Sequence, residues 1–130
     1  MSSKHNAAKI RLTDVELELM LILWQLGEAS IKDILSHLPA SRPMAYTSAS
    51  TIVRILEKKG FVRSQKFGRG HLYQPLIDKS EYEAHSLNHM VENLFENTPK
   101  NLVARLLADE TLSLEELQAM QSMLRKKLAQ

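Results

Sequence analysis

At Gly60 the spacing of apolar residues changes from that of a helix to that of a strand, and this switch limits the possible folds more than any other feature of the chain. Between Thr47 and Lys59, at about 100° per residue, Ala49, Ile52, Val53 and Leu56 fall on one side. Thr47, Ser50, Thr51, Arg54 and Lys58 fall on the other. That second face is polar and basic, with small side chains toward the helix start, and Ile55 lies at the boundary. After Gly60, the natural stop for such a helix, the period becomes two. FVRSQKF reads as one strand and HLYQPLI as its partner, with the Gly-Arg-Gly sequence as the turn. The glycines permit positive φ, so the hairpin closes tightly with Arg69 at its apex. Pro75 suits an edge strand or a strand end.

Two helices precede this unit. Thr13-Asp14-Val15-Glu16 is a capping box: the threonine oxygen accepts from an N–H three residues on, and Glu16 reaches back. The helix that follows, with Leu17, Met20, Leu21 and Trp24, is expected to be nearly all buried and to end at Gly27. Ser30 caps a second helix, IKDILSHL, which stops at Pro39. Pro39 and Pro43 punctuate a loop.

Three helices follow the hairpin. Ser80-Glu81-Tyr82-Glu83 reads as a capping box for a helix to about Phe95, with an apolar stripe of Leu87, Met90, Val91, Leu94 and Phe95. Thr98-Pro99 opens a short helix carrying Leu102, Val103, Leu106 and Leu107. Ser113 to Glu116 is a further capping box, and Leu114, Leu117, Met120, Leu124 and Leu128 line the last helix. Three amphipathic helices in so short a segment have more apolar face than one small layer buries, which points to a second copy of the chain, the alternative being that they pack back onto the winged domain in a monomer.

Three helices and then a hairpin is the order of a winged helix-turn-helix domain. The expected fold is mainly α with a small β-hairpin wing. A winged-helix DNA-binding domain spans residues 1–76, and a three-helix dimerisation region spans 77–130. Charge divides the same way. Residues 1–76 carry eleven Lys/Arg against six Asp/Glu, whereas residues 77–130 carry six against nine. A basic first half suits a polyanion.

In such a domain the third helix enters the major groove and the wing follows the backbone or minor groove. Ser50, Thr51 and Arg54 are the candidates for base edges, arginine being the commonest partner of guanine. Lys58 on the helix, and Arg63, Lys66 and Arg69 on the wing, are candidates for phosphate. Thr47 and Ser48 sit at the helix start, where backbone N–H groups also favour phosphate. Taken alone, a basic helix is often a solvated face, and basic hairpins often protect a sheet edge. The helix order and the charge division favour DNA over both readings. The dimer contacts are expected at Leu87, Met90, Val91, Leu94, Leu102, Leu106, Leu117, Met120 and Leu124.

Other functions find less support. The chain has no cysteine, which excludes disulfides and thiolate metal sites. No glycine-rich phosphate loop or nucleophile elbow is present, so neither catalysis nor a cofactor is expected. His85 and His89 lie four apart on one helix face and are the weak candidates for a metal, lacking nameable further ligands. The N-terminal MSSKHNAAKIR has no apolar core of a signal peptide, and no apolar run is long enough for a membrane span. A cytoplasmic protein without a membrane partner is expected. The alternatives are a winged helix used for protein–protein contact and a nonspecific architectural DNA-binding module.

The stretch LTDVELELMLILW, Leu12 to Trp24, resembles the opening of the penicillinase-repressor (BlaI/MecI/CopY) family of winged-helix transcriptional regulators. The likeness continues through Thr51, Leu56, Lys59-Gly60, Gly68-Arg69, Tyr73 and Pro75, and is weaker but visible to Leu112-Ser113. It implies a homodimeric repressor whose C-terminal helices form the interface and which blocks transcription at a palindromic operator. Four departures stand out. The family's arginine before the equivalent of Leu56 is Ile55 here, with Arg54 one step earlier. Ser48-Ala49 replaces a threonine and valine. The Asn-Phe bond at which penicillinase repressors are cleaved matches Arg105-Leu106, which counts against a signal-activated protease as partner. The cysteine-rich metal motif of copper-responsive members is absent.

Overall fold

The computed structural model describes residues 11–130; the N-terminal segment Met1–Ile10, read above for targeting signals, lies outside them. Helix α1 runs over Asp14–Leu26. Its capping box is complete: Thr13 Oγ1 accepts from the Glu16 N–H at 3.2 Å, and the Glu16 carboxylate accepts from the Thr13 N–H at 2.8 Å. Gly27, at φ 81°, ends it. The helix is not buried all round as expected. Leu19, Met20 and Leu23 are in the core, but Leu21 is 43% exposed. The apolar run is longer than the arc that one small layer can cover.

Helix α2 occupies Ile31–Ser36, two residues shorter than the sequence suggests. Ser30 and Asp33 form a reciprocal cap, each contact 3.1 Å. Helix α3 occupies Tyr46–Lys58. Its end is built from the chemistry that begins the hairpin. Gly60 sits at φ 85°, its N–H donates to Glu57 O, and the Phe61 N–H donates to Leu56 O. These are the two hydrogen bonds of a Schellman motif, and Leu56 and Phe61 are both buried beside it.

Strands β1 (Val62–Phe67) and β2 (Gly70–Pro75) pair antiparallel, from Val62 opposite Pro75 to Phe67 opposite Gly70. The tip is therefore the two residues Gly68 and Arg69, and Gly70 belongs to the strand. Only Gly68 takes positive φ, at 60°, as a two-residue turn with glycine first requires. A third, one-residue strand was not visible in the sequence. Ala29 and Tyr73 exchange both backbone hydrogen bonds, at 3.0 and 2.8 Å, so the loop after α1 is stitched to the outer edge of β2.

The first compact unit runs to Leu87, beyond the expected boundary after residue 76. The reason is Ile77 and Tyr82, both buried in its core. Trp24 Nε1 donates to the Ile77 carbonyl at 2.8 Å, and the Tyr82 hydroxyl accepts from the Leu12 N–H at 2.9 Å. Tyr82 also meets Phe61 edge-on, with ring centroids 5.6 Å apart.

Helix α4 covers Lys79–Leu94. Ser80 is thus its second residue and not its cap, in contrast to the expected box. The second unit, Asn88–Gln130, holds the end of α4 together with α5 (Pro99–Ala108) and α6 (Leu114–Leu128). Glu96 and Asn97 both take positive φ, near 55°, and the Asn97 N–H returns to Val91 O at 2.9 Å. Pro99 opens α5 after Thr98. Ser113 and Glu116 form the expected box for α6, and Arg125, Lys126 and Lys127 sit favourably at its C-terminal end. Among the described residues no helix is long and apolar enough to cross a membrane.

Candidate nucleic-acid interface

Helix α3 buries Ala49, Val53 and Leu56 and turns the opposite arc outward. Thr47, Thr51, Arg54 and Lys58 follow one another at spacings of four, three and four residues. They fall within about 60° of arc, and all four are exposed. Ser48 is exposed on one flank of this stripe and Ser50 half-buried on the other. Tyr46, which the sequence reading did not single out, is 58% exposed in the first turn.

The start of α3 lacks a side-chain cap because the capping position is Ala45. First-turn N–H groups beside Thr47 and Ser48 therefore lack an internal acceptor and suit an external anion. The Thr51 hydroxyl donates to the Thr47 carbonyl at 3.0 Å. Thr51 thereby presents its methyl group and oxygen lone pairs outward. That combination fits a thymine methyl or a base amino donor.

Structure separates the basic residues into two groups. Arg42 pairs with Glu18 at 3.1 Å and Lys59 with Glu16 at 2.8 Å. Arg54, Lys58, Lys66 and Arg69 form no ion pair with another described residue. Their charge is available to an external partner.

On the wing, side chains alternate between faces. Val62, Ser64 and Lys66 share one face with Pro75, Tyr73 and His71; Arg63, Gln65 and Phe67 share the other with Gln74 and Leu72. The first face is turned toward α3, since the Ser64 hydroxyl donates to Glu57 at 2.7 Å. Lys66 is therefore on the side of the helix stripe. Arg63 is on the far side and is held by Gln74, its Nε donating to the amide oxygen at 2.8 Å. The structure thus brings Lys66 to the α3 side, leaves Arg63 apart and puts Arg69 at the exposed tip. Burial pushes the Tyr73 phenol up, with Glu57 and Tyr46 adding to the shift and Arg54 opposing it. These groups lie together where helix and wing meet.

The apolar residues of the helical segment also divide. Leu87, Met90 and Leu94 on α4 are exposed, as are Leu106 on α5 and Leu117 and Leu124 on α6. Leu102 and Met120 are half-buried. Val91 is buried within its own chain, which removes it from the outward face expected for it. His85 is half-buried and His89 exposed on α4, and no group of three or more potential ligands gathers for a metal among the described residues.

A penicillinase repressor of Bacillus licheniformis is 26% identical over 107 residues, covering 82% of this chain and 84% of the relative. The methicillin resistance regulatory protein MecI of Mammaliicoccus sciuri is 24% identical over 116 residues, covering 89% and 94%. The solution structure of Bacillus licheniformis BlaI in monomeric form, in complex with the blaP half-operator, is 29% identical over 56% of this chain and 89% of that one, with a TM-score of 0.48. The family model for the penicillinase repressor matches residues 12–126. With nearly all of its length inside that match, the chain belongs to the penicillinase repressor family.

Proposed function

We propose that the protein is a sequence-specific DNA-binding transcriptional repressor that acts as a homodimer on a palindromic operator. The observation that carries this reading is the outward stripe of α3. Thr47, Thr51, Arg54 and Lys58 form a continuous exposed line whose two cations are unneutralised within the described chain. A helix of this kind inserts into the major groove, where Arg54 and Thr51 read base edges and Lys58 meets phosphate. Lys66 and Arg69 extend the contact along the backbone. Arg63 serves the wing's own structure through Gln74 and contributes long-range attraction only.

Two copies supply two stripes. Half-sites about 34–36 Å apart, one turn of DNA, present the same face to both. The exposed faces of α4, α5 and α6 in residues 77–130 join the copies, and burying them removes a large apolar surface from water. Occupying the operator excludes the transcription machinery, a role that requires no catalysis, no cofactor and no membrane. The relatives named above are a penicillinase repressor and a methicillin resistance regulatory protein, and a repressor acting on DNA works in the cytoplasm.

In vitro selection of genomic fragments at physiological salt tests this reading, with the Arg54→Ala variant alongside. An enriched palindrome that the variant fails to enrich is the expected result. Salt-sensitive binding without any enriched sequence indicates an architectural DNA binder instead. Absence of DNA binding indicates a winged helix used for protein contact.

A further inference from the structure

We propose that Lys66 and His71 form a phosphate site on the wing, and that DNA binding there is coupled to protonation of His71. The proposal deepens the DNA-binding reading and rests on it. His71 is absent from the residues that the sequence pattern selects, because only the strand register brings it to the right face.

The two residues are direct cross-strand partners. The kind of pair follows from the backbone. Both backbone polar groups of Tyr73 point away from β1, to Ala29. Tyr73 and Ser64 are therefore a non-hydrogen-bonded pair, and with the alternation of antiparallel ladders so are Lys66 and His71. Side chains approach most closely in such pairs. Both residues are exposed, and both lie on the face turned toward α3.

The charged groups around the pair are Arg54 and Arg69 against one carboxylate, Glu57. Lys66 faces His71 from β1. Beside His71 on β2 is Tyr73, with ring centroids 6.4 Å apart. From α3, Glu57, Tyr46 and Arg54 act on the Tyr73 hydroxyl, and the Glu57 carboxylate accepts from Ser64. Arg69 lies two residues away at the tip. Neither Lys66 nor His71 has a hydrogen-bonding or ion-pair partner among the described residues. Two like charges directly opposed on a sheet repel each other. A backbone phosphate seated between them turns that repulsion into two charge-assisted hydrogen bonds.

The phosphate stabilises the imidazolium, so the complex holds its proton more tightly than the free protein does. Affinity then increases as pH falls and the imidazole takes up its proton, and that gain is lost again as pH rises. A tenfold gain in the imidazole's proton affinity on binding tightens the complex by at most about tenfold per wing in acid relative to alkali.

The test is fluorescence anisotropy of the full chain with a mixed-sequence DNA duplex carrying a pH-insensitive dye, at constant ionic strength. A mixed sequence suffices because a phosphate contact is independent of sequence. The chain has four further histidines, His5, His37, His85 and His89, so the readout is the difference between wild type and His71→Gln. The wild type should tighten toward acid and His71→Gln should lose most of that gain. His71→Lys, a permanent cation, should hold the acid-side affinity at about pH 8. A His71→Gln variant with the full pH dependence overturns the proposal, as does a His71→Lys variant that binds no better than wild type at about pH 8. Salt-sensitive wild-type binding that does not change with pH overturns the proton coupling and leaves the DNA-binding reading standing. Absence of duplex binding at every pH removes both.

Discussion

Lys59 Nζ lies 2.8 Å from each carboxylate oxygen of Glu16, and Glu16 is also the residue that closes the capping box of α1. One carboxylate therefore serves the start of α1 and holds the C-terminal end of α3, the helix that carries the candidate reading stripe. Glu16 is only 5% exposed. Burial pushes its carboxyl up, but the Lys59 ammonium and the two Thr13 hydrogen bonds together outweigh it, and the net position is below the usual value.

Glu16→Gln keeps an acceptor for the Thr13 N–H and removes the charge opposite Lys59. The expected loss of stability is about 2 kcal/mol near neutral pH, the scale of a hydrogen bond to a charged group, measured by chemical denaturation. Because the folded carboxyl titrates low, its contribution is complete above the unfolded value of about 4.3 and disappears as pH falls through the folded one. The variant should approach the wild type in acid. A gap that stays constant into acid contradicts the assignment.

Arg54→Ala should reduce discrimination between operator and random DNA by about 1–3 kcal/mol if the guanidinium contacts a base in bidentate fashion. Competition binding with both DNAs measures this. Equal losses on the two would make Arg54 a phosphate contact and not a reader.

Arg69 is exposed at the wing tip and free of ion pairs within the described chain. Arg69→Ala should weaken binding to all sequences alike and lower the slope of log affinity against log salt by about one per site. An unchanged slope in a salt titration would show that the tip does not touch phosphate.

Gly68 holds φ at 60° with open space around the position of a Cβ. Gly68→Ala therefore meets no clash and pays only the backbone cost of the left-handed region, about 1–2 kcal/mol. Denaturation should show that loss. A larger loss would indicate that the hairpin changes its turn or register.

Leu94 is 69% exposed on α4. Leu94→Asp places a charge where two copies are proposed to meet, and sedimentation should show monomers. A dimer of undiminished strength would move the interface to another face.

The sequence alone determined the parts that rest on local chemistry. Thr13 with Glu16, and Ser113 with Glu116, announce helix starts because their hydrogen bonds close within one turn. Gly60 announces both a helix end and a change of period, because only a residue at ease with positive φ completes the Schellman bonds to Glu57 and Leu56. The four residues of the α3 stripe were legible for the same reason, since helical spacing is fixed by the backbone. Tertiary structure decided what depends on partners distant in sequence. It set Tyr82 and Ile77 into the first unit's core, so α4 begins at Lys79 and Ser80 loses its expected capping role. It spent Lys59 and Arg42 on Glu16 and Glu18, leaving Arg54, Lys58, Lys66 and Arg69 for an outside partner. It paired Ala29 with Tyr73 and, through strand register, put Lys66 beside His71 while turning Arg63 away. Composition counts these cations as equals; only the packing of distant segments determines which are neutralised and which face a partner.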